Sequence, residues 1–110
     1  MPSYLVQASY RTEALRLLIK KPEDRTDVLR KAVEKLGGKL VGLWLSFGDQ
    51  DVVAIIEMPN NVSAAGLALA IGAGGALKFT KTTPLLTIDE GLAALKKAAT
   101  SGYSAITSRR

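Results

Sequence analysis

The stretch that decides the fold is residues 39–59, KLVGLWLSFGDQDVVAIIEMP. It contains two largely apolar runs of strand length, and successive side chains of a β-strand point to opposite faces. Gly48, Asp49 and Gln50 lie between the runs, and so short a connection predicts an antiparallel hairpin. Pro59 cannot donate a hydrogen bond to a strand ladder, so it ends the second strand.

Both faces of this hairpin are apolar, although a sheet with helices on one side usually alternates apolar and polar residues. The uncovered face would expose one of two patches, either Trp44, Ile56 and Met58 or Leu43, Leu45 and Ile55. Monomers rarely expose large apolar patches, so we expect a second copy to pack sheet to sheet around a two-fold axis. The alternative is that the C-terminal helix and tail cover this face.

The segments before the hairpin predict one strand and two helices. Residues 3–10 alternate with a period of two, which is typical of a strand. Thr12 is a plausible N-cap for a helix over residues 13–20, and Pro22 interrupts the helical pattern. A second helix is predicted over residues 24–36, and Gly37 and Gly38 end it.

The segments after the hairpin predict a helix, a strand and a closing helix. The helix over residues 62–73 is rich in alanine and glycine and is capped by Asn60, Asn61 or Ser63. The strand covers residues 77–83 and ends before Pro84. Thr87 and Glu90 predict a capping box for a helix over residues 88–99.

This order predicts an α+β fold, a ferredoxin-like βαββαβ unit with a four-stranded antiparallel sheet, helices on one face and an extra C-terminal helix. We expect residues 1–100 to form a single domain and residues 101–110 to form a C-terminal tail.

Composition excludes several kinds of chemistry. The 110 residues include no cysteine and no histidine, which removes disulfides, thiolate nucleophiles and the commonest general base and metal ligand. We therefore expect no cofactor and no metal. The net charge is +5, but acidic residues are interleaved with the basic ones, which indicates a solvated helix face rather than a nucleic-acid site. We see no signal peptide or membrane span, and expect a cytoplasmic protein.

Four residues are the candidates for binding a ligand. They are Asp51, Glu57, Tyr4 and Trp44. Each has a structural alternative. It is turn chemistry for Asp51, an edge position paired with a lysine or capping the helix after Pro59 for Glu57, and core or interface packing for the two aromatic residues. Arg11 and Arg25 could hold an anionic ligand, although solvation at the surface is the simpler interpretation.

Several segments together resemble the GYD domain family of small bacterial proteins. They are GGKLVGLW at 37–44, GDQDVV at 48–53, EMPN at 57–60 and ALAIG at 68–72, and the resemblance covers residues 3–88. It implies a ferredoxin-like fold of the dimeric α/β-barrel kind. The family takes its name from a Gly-x-Tyr-Asp-like turn, in which Gln50 here replaces the tyrosine. The resemblance implies no specific function.

Three functions remain open from the sequence. The first is a homo-oligomeric binding or regulatory module that holds a small molecule between sheet and helices. The second is a cofactor-free enzyme of the oxygenase or isomerase type in a mainly apolar pocket. It would use Tyr4, Tyr10, Trp44, Asp51 or Glu57. The third is a structural assembly unit with no cavity. A cavity containing one of these groups with a perturbed pKa would favour the enzyme.

Overall fold

The computed structural model describes residues 1–106 and contains four strands and four helices in that part of the chain. In chain order these are β1 (Ser3–Tyr10), α1 (Thr12–Lys20), α2 (Thr26–Lys35), β2 (Lys39–Leu45), β3 (Val52–Glu57), α3 (Asn61–Ala73), β4 (Leu77–Leu85) and α4 (Ile88–Ala99).

The strands form one antiparallel sheet in the order β2-β3-β1-β4. This confirms the ferredoxin-like α+β fold, with α4 as the extra C-terminal helix. The two halves of the chain meet at the centre of the sheet, where β1 pairs with β3 on one side and β4 on the other. The predicted tail begins at residue 101 and has no helix or strand as far as residue 106; residues 107–110 lie outside the described residues.

The core lies between the sheet and the helices on one of its faces. Its buried apolar residues come from β1, α2, β2, β3, the residue that follows β3, and α3. They are Tyr4, Val33, Leu40, Ala54, Ile56, Met58, Ala64 and Leu67. Tyr4 is 2% exposed, and its phenol donates a hydrogen bond of 2.6 Å to Oδ1 of Asn61 in the first turn of α3. This bond satisfies a hydroxyl that would otherwise destabilise the core.

The prediction assigned residues of both faces of the hairpin to the same apolar patch, and this assignment is wrong. Trp44 faces Val53 across the β2–β3 ladder, and Leu43 faces Ala54. Trp44 therefore lies on the face away from the helices, whereas Ile56 belongs to the core. A register shift between Leu40 and Gly42 adds one residue to β2 at Val41. Such a bulge changes which residues share a face, and it cannot be read from strict alternation.

The ends of several elements also differ from the predictions. Thr12 is the first residue of α1 rather than its cap, and Arg11 precedes it without a side-chain bond. Among the three predicted caps of α3, Asn60 accepts the Ser63 N–H at 2.9 Å. Thr87 and Glu90 form the predicted capping box. Pro84 does not end β4, because β4 is an edge strand and proline is tolerated there.

The helix α4 stands apart from the rest of the described chain. No other helix or strand packs extensively against it, and none of its residues is buried. The radius of gyration is 17.8 Å, whereas a compact chain of this length has about 13 Å. The alternative in which α4 covers the second face of the sheet is therefore wrong for this structure.

Replacing either of two glycines by alanine should change the free energy of unfolding, in opposite directions at the two positions. A Cβ on Gly66, inside α3, would meet open space, whereas one on Gly38 would collide with the Glu57 carbonyl and the Met58 sulfur. We expect Gly66→Ala to raise the free energy of unfolding by about 0.5–1 kcal/mol, because alanine loses less backbone entropy in a helix. Gly38→Ala should lower it by about 1–3 kcal/mol through overpacking. Urea unfolding followed by circular dichroism tests both, and equal effects would contradict this packing.

Candidate ligand-binding cavity

A cavity of about 600 Å³ lies between the sheet and the three helices that cover it. The sheet contributes Val6, Ala8, Tyr10, Leu43, Val52, Ala54, Ile56 and Leu77, and the helices contribute Ala14, Leu17, Leu18, Val28, Leu29, Ala32, Leu67, Ala70 and Ile71. Glu23, Arg25, Gly74 and Ala76 complete the lining from the loops. The lining is therefore almost wholly aliphatic.

Small side chains on facing elements leave this space empty. Ala8 of β1 pairs with Val52 of β3, and Ala54 of β3 pairs with Val6 of β1, so both alanines lie in the centre of the sheet. Ala14, Ala32 and Ala70 line the cavity from the three helices. The sequence analysis noticed the alanines of α3 but not that alanines elsewhere face them. Ala64 packs into the core in the first half of α3, Leu67 belongs to the core and also lines the cavity, and Ala70 and Ile71 in the second half border the cavity.

The cavity opens to solvent beside α1 and α2. Leu17 of α1 and Val28 of α2 both line it, and both are exposed. α1 has no buried residue, and its contacts with the sheet are confined largely to β1. A helix with so few buried contacts is expected to separate from the sheet by local unfolding at a low free-energy cost.

The polar groups of the lining are Tyr10, Glu23 and Arg25. Tyr10 is the last residue of β1, and the other two lie in the loop between α1 and α2. Arg25 Nη1 donates to Glu23 Oε2 at 2.9 Å. Burial raises the pKa of the Tyr10 phenol; Arg25 opposes the shift, and Asp51 and Glu23 add to it. Tyr10 therefore holds its proton at neutral pH and can donate a hydrogen bond.

The turn after β2 supports this end of the cavity. Asp51 Oδ2 accepts the Tyr10 backbone N–H at 2.9 Å, and the Asp51 N–H donates to the Ala8 carbonyl at 2.9 Å. The Ser9 hydroxyl donates to Gln50 Oε1 at 3.0 Å, so the residue in place of the family tyrosine ties the turn to β1. These bonds hold the C-terminal end of β1 in place.

The four candidate residues from the sequence do not come together. Tyr4 is in the core and Trp44 is 52% exposed on the opposite face of the sheet. Asp51 precedes β3, and Glu57 ends it, one strand length away. None of the four lines the cavity. Tyr10 and Arg25, which the sequence analysis weighed less, do line it, and Glu23 was missed because it carries no motif.

Two further features concern the described residues as a whole. Within residues 1–106, acidic side chains nowhere form a group of three that could hold a metal ion. The helices there are too short or too polar to span a bilayer.

The fold and the cavity define a class, a ferredoxin-like α+β domain with an apolar pocket between sheet and helices. The family model of the GYD domain matches residues 4–95, so the chain belongs to the GYD domain family. This confirms the resemblance seen in the sequence. A search of curated proteins found no match to the chain.

The raised pKa of Tyr10 predicts a loss of stability at alkaline pH. Its ordinary value is 10.0, so above about pH 9 the unfolded chain loses this proton before the folded one does. The folded state then binds more protons, and stability falls as pH rises through this range. We expect wild type to lose more unfolding free energy between about pH 8 and 11 than Tyr10→Phe does, in urea titrations. Parallel curves would contradict the burial of this phenol.

Proposed function

We propose that this protein is a homo-oligomeric binding module that holds a small amphipathic molecule in the cavity between its sheet and its helices. The observation that carries the proposal is the cavity, with an aliphatic lining and polar groups confined to Tyr10, Glu23 and Arg25. Cavities of about 300–1,000 Å³ with a few converging polar groups are typical small-molecule sites.

The lining favours a ligand with an apolar body and an anionic or hydrogen-bond-accepting end. An aliphatic wall gains free energy by excluding water from an apolar body. Arg25 presents a fixed array of N–H donors suited to a carboxylate or sulfonate, and Tyr10 adds an O–H donor. A ligand anion would compete with Glu23 for Arg25, and their half-exposed ion pair is weak enough to exchange.

A cofactor-free enzyme is the second candidate, since Tyr10 combines a place in the cavity with a perturbed pKa. The direction of the shift limits the chemistry. A raised pKa keeps the phenol protonated, which suits a hydrogen-bond donor or general acid and not a base at neutral pH. The binding module is the better supported of the two. The cavity also argues against a purely structural unit.

Self-association rests on the face of the sheet away from the helices, which we call the open face. Its apolar patch consists of Leu5, Trp44, Val53 and Ile55, and Phe79 lies on the same face beyond Gln7 and Lys81. The Trp44 ring lies across Gly42, where a Cβ would collide with it, and Phe79 is 44% exposed. Polar residues, Gln7, Lys81 and Glu57, lie beside the patch. An apolar patch with a polar border is typical of an interface, here with a second copy. The absence of cysteine fits the cytoplasm as its location.

Dye binding tests the cavity. We expect anilinonaphthalene sulfonate, an apolar anion, to fluoresce on binding wild type and to lose most of that binding in Ala70→Phe, which fills the cavity. Ala65→Phe, on the same helix but outside the lining, is the matched control. Arg25→Gln should weaken binding about 10-fold through loss of a charged hydrogen bond, whereas Arg30→Gln should not.

The open face is the competing place for this dye. If Trp44→Asp abolished dye binding while Ala70→Phe kept it, the dye would lie on the open face and the cavity proposal would fail.

The solution mass tests self-association. We expect wild type to be a dimer or larger by size exclusion with light scattering, and Trp44→Asp to form a smaller assembly because a carboxylate would be buried without a partner in the open face. Leu45→Asp, the next residue along β2, is exposed and lies on the other face, so it should keep the assembly. Trp44 is the only tryptophan, so its emission should shift to the red on dilution. A monomer at tens of micromolar would contradict the interface.

A further inference from the structure

The helix α4 needs a partner that residues 1–106 do not provide. It has 12 residues with Gly91 inside it, and nothing in the described chain packs extensively on it. An isolated helix of about 12–15 residues is marginal in water, and an internal glycine costs about 1 kcal/mol more than alanine. The capping box alone offsets only part of this. Burial of an apolar face is the usual source of the missing stability.

The apolar face of α4 has the spacing of a coiled coil. Ile88, Leu92, Leu95 and Ala99 are separated by four, three and four residues, which is the alternation of the two core positions of a heptad repeat. The three larger residues are 82%, 51% and 67% exposed in chain order. This stripe would be buried together by one straight partner helix.

The charges of α4 indicate which helix that is. Asp89 and Glu90 lie in its first turn, and Lys96 and Lys97 in its last. We propose that α4 pairs antiparallel with α4 of a second copy of this chain around a two-fold axis. This interface is separate from the open face and goes beyond the proposed function.

The antiparallel arrangement gives matched layers and matched charges. Leu92 packs against Leu95 of the partner subunit, and Ile88 against Ala99 of the partner subunit, so a large residue meets a small one at the ends. Asp89 and Lys96 occupy the same heptad position, beside the core, and antiparallel pairing places Asp89 next to Lys96 of the partner subunit. In a parallel pair Lys96 would instead lie beside Gly91 of the partner subunit, and the attraction between Asp89 and Lys96 would be lost.

The last turn of α4 also offers a control position, Lys97, which is charged like Lys96 but faces outward. Lys97 follows Lys96 but lies one step further round the helix, away from the stripe. A charge change at Lys97 therefore alters the helix end and the net charge as much as one at Lys96, without touching the pair. It is the matched control.

A charge exchange tests the pairing. Asp89→Lys places lysine beside lysine in its own pair, and Lys96→Glu places acid beside acid, whereas a mixture of the two variants restores both attractive contacts. We expect native mass spectrometry at low salt to find mixed complexes in excess of random mixing. A mixture of Asp89→Lys with Lys97→Glu should mix at random.

The outcomes separate this interface from the open face. Random mixing of Asp89→Lys with Lys96→Glu would overturn the α4 pairing even if Trp44→Asp dissociates the protein. If α4 instead lay on the open face of another copy, Leu92→Asp and Trp44→Asp would remove the same contact, and the charge exchange would have no effect. A preference for mixed complexes that persists in Trp44→Asp supports α4 pairing and does not depend on the proposed function.

Discussion

The pairing of β1 with strands on both of its sides fixes where the rest of the sheet and the three helices over it lie. Because β1 is central, the residues that alternate along it, Tyr4, Val6, Ala8 and Tyr10, form a line across the helix-covered face. The first of them is in the core, and the other three border the cavity. The side chains of β1 on this face therefore lead from the packed core to the cavity. The register of β1 with its two neighbouring strands determines the position of both.

The change from core to cavity follows the sizes of the side chains. At the packed end, the large residues Tyr4, Ile56 and Met58 meet Val33 of α2 and the first half of α3. At the other end β1 offers the small side chain of Ala8, and the helix above β1 is α1, which buries no residue. Ala54 lies between the two ends, since it belongs to the core and also lines the cavity. Protein interiors are packed with few voids larger than a water molecule, so a space of about 600 Å³ next to a filled core is unusual, and it is the space that the proposed ligand would occupy.

Patterns between residues close in sequence predicted the fold well. Features that depend on which residues of different elements face each other could not be predicted. The capping box of α4 involves residues three apart, so the sequence shows it directly. The bulge at Val41 depends on how β2 aligns with β3, which a single strand does not reveal. The cavity depends on alanines in five elements that meet only after folding. For the same reason Tyr10 and Arg25, which come together only after folding, were not distinguished from Tyr4 and Trp44 by the sequence.

The two edges of the sheet are the reason why we propose association through its face and through α4 rather than through strands. An exposed edge offers unpaired N–H and C=O groups to another chain. β4 carries Pro84 together with Lys78 and Lys81, and proline and lysine are common ways to block edge pairing. β2 is interrupted by its bulge at Val41. With both edges protected, the surfaces that we propose for contact with another copy are two apolar ones, the open face and the stripe on α4. Both lie away from the lining of the cavity, so the proposed association would leave the opening beside α1 and α2 free for the proposed ligand.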